Sequence, residues 1–117
     1  MNIDELKEFQ AEEQEKLYQD IKQTIFKDIE RQIRKNPNIN NIQYFRESVI
    51  RQYVGGKLSN PIWIYQYIDN YYDRLHKELA EDGLKLYKII EYKTKTKGWI
   101  RKKEYKVKVR EYYSISW

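Results

Sequence analysis

The last thirteen residues of this chain alternate. Tyr105, Val107, Val109, Glu111, Tyr113, Ile115 and Trp117 occupy one phase, and Lys106, Lys108, Arg110, Tyr112, Ser114 and Ser116 the other. Period two among β-branched and aromatic residues is the pattern of a half-buried strand. Such a strand needs a partner. Leu84 to Thr94 is the natural one, with Leu86, Ile89, Ile90 and Tyr92 available for a core. Ile89 and Ile90 are adjacent and cannot share a face, so the register stays open. Lys95 to Lys97 and Gly98 supply the turn. Residues 84–117 are therefore expected to form an antiparallel β-hairpin with a basic tip, and in this phase Tyr105 points toward the core.

The rest of the chain reads as helical. In residues 3–35, Asn2 with Glu5 three positions later forms a capping-box pattern. Leu17, Ile21, Ile25, Ile29 and Ile33 then recur every four residues, a helical stripe. Residues 10–16 hold only Ala11 as an apolar position, so the first turns are expected to project into solvent or onto a partner. Asn36-Pro37 ends the helix, because the residue before proline avoids the helical region. A second helix is expected over about Asn41 to Val54, with Ile42, Phe45, Val49, Ile50 and Tyr53 on one face, Asn40 or Asn41 as its cap, and Gly55-Gly56 as its stop. A third is expected from Pro61 to Asp82. Asn60 would cap it, Pro61 would take the first helical position, and Ile64, Ile68, Tyr71, Leu75 and Leu79 would form its core stripe. Gly83 is well placed at its exit. The expected fold class is α+β: three N-terminal helices followed by a C-terminal antiparallel β-hairpin.

Length and composition bound the functions such a fold can have. A chain of 117 residues is expected to make a single domain, 1–117. It has no cysteine, which excludes disulfides, thiolate catalysis and cysteine zinc sites, and points to a reduced, cytoplasmic setting. Its lone histidine excludes sites built on two. The longest uncharged run, Leu58 to Ile68, is far short of the roughly 20 apolar residues that span a bilayer. Asp4, Glu5 and Glu8 have the wrong sign for a signal peptide. Phe, Tyr, Met, Ile, Asn and Lys total 54 residues, and Gly, Ala, Arg and Pro only 15. The first group has AT-rich codons, so the gene is expected to come from a low-GC bacterium or from a phage or other mobile element.

Charge is the strongest functional signal. The net charge is +5, yet residues 1–83 balance at −3 and residues 84–117 at +8. A one-sign cluster of this kind attracts polyanions, although lysine on strand edges also guards against aggregation. Lys93, Lys95, Lys97, Arg101, Lys102 and Lys103 gather at the hairpin tip, and Lys106, Lys108 and Arg110 share one strand phase. Trp99, Tyr105 and Tyr112 lie among them; with Tyr105 read as coreward, Trp99 and Tyr112 are the expected base-stacking rings. Lysine outnumbers arginine nine to two in this region, which favours backbone attraction over bidentate base reading.

A second signal lies on the third helix. Tyr65, Asp69, Tyr72 and His76 form a stripe beside the core stripe, expected either to bind a protein partner or to pack in part on the hairpin. Asp69, Asp73 and His76 have the spacing to approach one cation, but a metal site needs a further ligand and a supporting shell, so no metal is expected. No phosphate-binding glycine loop, serine–histidine pair or carboxylate dyad is present, and a tyrosine nucleophile lacks paired histidines. The chain is expected to be non-enzymatic and to use no cofactor.

The expected element order of three helices, strand, basic loop and strand resembles the winged-helix variant of the helix-turn-helix fold, with residues 95–103 as the wing. The resemblance implies DNA binding. Asp69, Asp73, Glu78, Glu81 and Asp82 on the third helix would repel phosphates, so the wing is the better contact element. The leading functional expectation is a small accessory protein of a phage or other mobile element that contacts DNA or RNA through Lys93, Lys95, Lys97, Trp99, Arg101, Lys102, Lys103, Lys106, Lys108, Arg110 and Tyr112. The alternative is a protein-binding modulator or inhibitor of a larger nucleic-acid enzyme, of the anti-CRISPR or replication-associated kind, docking through the stripe of Tyr65, Asp69, Tyr72 and His76, the exposed first turns or the basic hairpin. Self-association through Ile3–Phe9 is compatible with either, and no membrane partner is expected.

Overall fold

The computed structural model describes residues 2–54, 57–98 and 103–117. The element order is α1 (Ile3–Lys35), β1 (Asn41–Phe45), β2 (Val49–Val54), β3 (Lys57–Trp63), α2 (Ile64–Asn70), α3 (Tyr72–Glu81), β4 (Lys85–Lys97) and β5 (Lys103–Ser116). The fold is α+β with antiparallel sheets. Its contacts divide it into two compact units, Met1–Ile39 with Ile50–Ile62, and Asn40–Val49 with Trp63–Trp117. Among the described residues no helix is long and apolar enough to cross a membrane.

The first unit holds α1. Asn2 caps the helix, its side-chain oxygen accepting from the Glu5 N–H at 2.9 Å, and Asn36 closes the other end. Tyr18, Ile21, Ile25 and Ile29 are buried at helical spacing, so the stripe begins at Tyr18 rather than Leu17. Ile3, Leu6 and Phe9 are exposed, as the sparse apolar pattern of the first turns predicts. β2 and β3 make a two-stranded sheet.

The second unit is a three-stranded antiparallel sheet in the order β1-β5-β4, with α2 and α3 against it. The central strand carries the core. Ile115 stands between Ile42 and Leu86, and all three are buried. Ile64, Ile68, Leu75 and Leu79 add the helical side, as their spacing predicts. Gly83, at φ +82°, ends α3 in a Schellman motif: Gly83 N–H donates to Ala80 O at 3.0 Å and Leu84 N–H to Leu79 O at 2.8 Å.

Two helical expectations fail here. Residues 41–54 form β1, a turn and β2, not a helix. Ile42 and Tyr44 are buried while Gln43 is exposed, a period of two. β1 finds its partner more than sixty residues away, where Asn41 pairs Ser116 and Phe45 pairs Tyr112. Local spacing carries no trace of that pairing, and tertiary context overrides propensity. Ser48 closes the turn, its N–H donating to Phe45 O and its hydroxyl accepting from the Phe45 N–H. Neither Asn40 nor Asn41 caps a helix; Asn40 O accepts from the Trp117 N–H. The expected stop, Gly55-Gly56, lies outside the described residues.

Pro61 sits in β3, not at a helix start, and α2 begins three residues later at Ile64. Both strands of a two-stranded sheet are edges, where a residue without an N–H is tolerated. The helix over 64–81 is interrupted at Tyr71 (φ −118°, ψ 25°), whose ring stacks on Tyr67 with centroids 4.7 Å apart. The winged-helix order is thus replaced by one helix, three strands, two helices and two strands.

This packing sets two expectations for stability. Ile115→Ala removes a fully buried side chain from the central strand and should cost about 2–5 kcal/mol in urea unfolding. Gly83→Ala meets no atom within 4 Å, so its cost of about 1–2 kcal/mol should come from the positive φ alone. A null effect at either position contradicts the packing described.

Candidate nucleic-acid interface

β4 and β5 pair from Lys85–Ser116 to Lys97–Lys103, and the ribbon is interrupted once. Glu91 faces Arg110 while Tyr92 faces Lys108, so Val109 is an extra residue on β5. A bulge of this kind reverses the alternation beyond it. On the sheet side of the bulge, Glu111 and Tyr113 face α2, and Tyr112 faces the other way. Past it, Lys108 joins the Glu111 face, and Tyr105, in sequence phase with Tyr113, lies opposite. The outer ribbon therefore has two unlike faces. One carries Tyr92, Thr94, Thr96, Glu104, Lys106 and Lys108. The other carries Lys93, Lys95, Lys97 and Lys103 around Tyr105 and Val107, as their cross-strand pairs require.

At the root of the ribbon a network gathers the local carboxylates. Lys88 Nζ lies 3.3 Å from Asp69 Oδ1 and 3.1 Å from Glu111 Oε1. Each carboxylate also accepts a tyrosine hydroxyl: Tyr113 donates to Asp69 at 2.6 Å and Tyr65 to Glu111 at 2.5 Å. Lys108 pairs with the second Glu111 oxygen. The Lys88 ammonium sits 5.9 and 5.8 Å from the Tyr65 and Tyr113 ring centroids, close enough for a cation–π contribution. On the opposite face Arg110 Nε binds Glu91 at 2.8 Å, and the Tyr112 hydroxyl reaches the same carboxylate.

Ionisation follows this geometry. Bonds from Lys108 and Tyr65 hold the Glu111 carboxyl down at about 2, against an ordinary 4.5. The Tyr113 hydroxyl, with help from Lys88, lowers Asp69. Glu111 in turn raises Lys88. Burial, then the bond to Glu111, pushes Tyr65 up to about 12, and burial with the Asp69 bond raises Tyr113. Burial, then Glu91, raises Tyr112.

The expected site residues separate accordingly. Lys93, Lys95, Lys97 and Lys103 come together on one face, exposed and without an ion pair among the described residues. Lys106 is equally exposed on the other face. Lys108 and Arg110 do not share a face and are both engaged by carboxylates. Tyr112 is only 7% exposed and packs at a tilt against Phe45, with ring centroids 5.0 Å apart, so it is not a ring open to a base. Tyr105, expected in the core, is 44% exposed. Trp99, Arg101 and Lys102 lie outside the described residues.

The helical stripe bonds to the sheet along its length, with Tyr65 buried, Tyr72 half-buried, and Asp69 and His76 exposed. Tyr65 and Asp69 belong to the network. Tyr72 stacks on His76 at 5.4 Å, the Tyr72 hydroxyl donates to Leu86 O, and His76 Nδ1 contacts the same carbonyl at 3.0 Å. β4 is an edge strand, so these two side chains satisfy an otherwise outward-facing acceptor. Lys88, Glu111 and Tyr113 were not singled out by the sequence as network residues. Their signal is the register, which becomes visible only once β4 and β5 are paired. No family model, curated protein or solved structure matches the chain.

The network makes a signed pH prediction. Glu111 titrates at 4.5 unfolded and about 2 folded, so its stabilisation is complete above 4.5 and lost as pH falls through about 2. The unfolding free-energy difference between wild type and Glu111→Gln should hold steady above 4.5 and shrink toward 2. A difference that does not change with pH contradicts the network.

Proposed function

We propose that this chain is a small nucleic-acid-binding accessory protein, encoded by an AT-rich phage or other mobile element, whose contact element is the β4–β5 ribbon. The observation that carries this reading is the sorting of charge. Carboxylates take up Lys88, Lys108 and Arg110 at the root, while Lys93, Lys95, Lys97 and Lys103 are exposed on one outer face, with no ion pair among the described residues. Lys97 and Lys103 stand directly opposite each other, an arrangement that costs stability in a sheet. A ribbon that keeps such a conflict is well suited to a polyanion that relieves it. Protection of strand edges would be met by lysines on either face, and gives no reason for four of them to surround an exposed tyrosine and a half-buried valine.

The alternative of docking on a larger nucleic-acid enzyme has less in its favour: Tyr65 is buried, and Asp69, Tyr72 and His76, though not buried, already bond to the chain's own strands.

Binding to a short oligonucleotide should weaken steeply with salt as condensed counterions are released. Replacing Lys93, Lys95, Lys97 and Lys103 with Gln should flatten the slope of log K against log salt by roughly three to four and leave thermal unfolding unchanged or raised. Salt-insensitive binding, or no binding at low salt, contradicts the proposal, as does a protein partner that survives nuclease treatment and is released by substitutions elsewhere.

A further inference from the structure

The two sides of the lysine face differ in kind. On β4 the row is Lys93, Lys95 and Lys97. On β5 it is Val107, Tyr105 and Lys103, each opposite its β4 partner in that order. One side of the face is thus wholly cationic, and the other is apolar and aromatic until its last position. Residues two apart on a strand are about 6.8 Å apart. Phosphates of one strand in a stacked helix project onto its axis at about 3.4 Å, and an unstacked strand spaces them more widely, so a straight row of lysines can follow one extended backbone.

We infer that this face takes a single strand of DNA or RNA, its phosphates running along Lys93, Lys95 and Lys97 and a base stacked on the Tyr105 ring. The inference rests on the ribbon reading and adds the form of the nucleic acid and the stacking residue. A duplex presents two backbones and closes its base faces within the stack. The ribbon offers one row of cations beside an open ring, which matches one backbone with its bases turned aside. Val107 extends the apolar row toward the root, where a second base can lie. Lys103, opposite Lys97, is the last described residue of the β5 side. The face has no arginine among its described residues and so no bidentate fork to read a base edge.

Fluorescence anisotropy tests this with three labelled probes: an oligothymidine and an oligouridine of about twelve nucleotides, and a duplex of mixed sequence and the same length. Both single strands should bind more tightly than the duplex. Tyr105→Leu should weaken single-strand binding by about 5- to 150-fold, and Tyr105→Phe should retain it. The salt slope should be the same in wild type and Tyr105→Leu, since no charge is lost; a merely structural defect would change slope and affinity together. Duplex preference, or equal binding by the Leu and Phe variants, overturns the single-strand inference while leaving the ribbon as a nucleic-acid contact. Absence of binding to all three probes at low salt overturns both.

Discussion

The pairing of β4 with β5 determines what every charged group in the C-terminal third can reach. It places Lys88 beside Tyr113 and Glu111, Glu91 beside Arg110, and Lys97 across from Lys103. It also contains the one irregularity that matters, the extra residue at Val109. Without that bulge Tyr105 would share a face with Tyr113, and the lysines of the outer ribbon would sort differently. One inserted residue reverses every side chain beyond it, so a local feature of the backbone controls the chemistry of a surface about six residues long on each strand.

The root and the outer part of the ribbon have opposite economies. At the root, cations and carboxylates neutralise one another, and the tyrosine hydroxyls satisfy the remaining acceptor capacity of Asp69 and Glu111. Partly buried groups in such a network gain by being fully connected. Farther out Glu104 is the lone described acid, and it lies on the face away from the lysine row. The field of the outer face is therefore not cancelled locally. The lysines there are exposed, with no ion pair among the described residues for a polyanion to break.

The sequence reported those features whose cause is local. The capped long helix, the exposed Ile3, Leu6 and Phe9, the buried stripe through Ile64, Ile68, Leu75 and Leu79, the glycine exit at Gly83 and the basic hairpin are all written in short-range spacing. What failed depends on distant partners. Residues 41–45 have a spacing that fits a helix as well as a strand, and β5 decides between the two. Pro61 signals a helix start only if its neighbours are not paired as strands. Tyr105 was assigned to the wrong side because alternation was counted straight through Val109, whereas Tyr112 does lie opposite Tyr113 but is covered there by Phe45. Lys88 looked like one more surface cation; its role as a hub between two carboxylates needs α2 and β5 to meet over β4. The candidate face was legible as a charge cluster, and its side, its ring and its paired neighbours were not.

The most direct measurement is amide chemical-shift mapping on the isotopically labelled chain as an oligothymidine is added at low salt. The account predicts that the largest changes fall on residues 93–97 and 103–107, with the amides of α2 and α3 nearly still. Changes concentrated on α2, α3 or α1, with the ribbon silent, would contradict it.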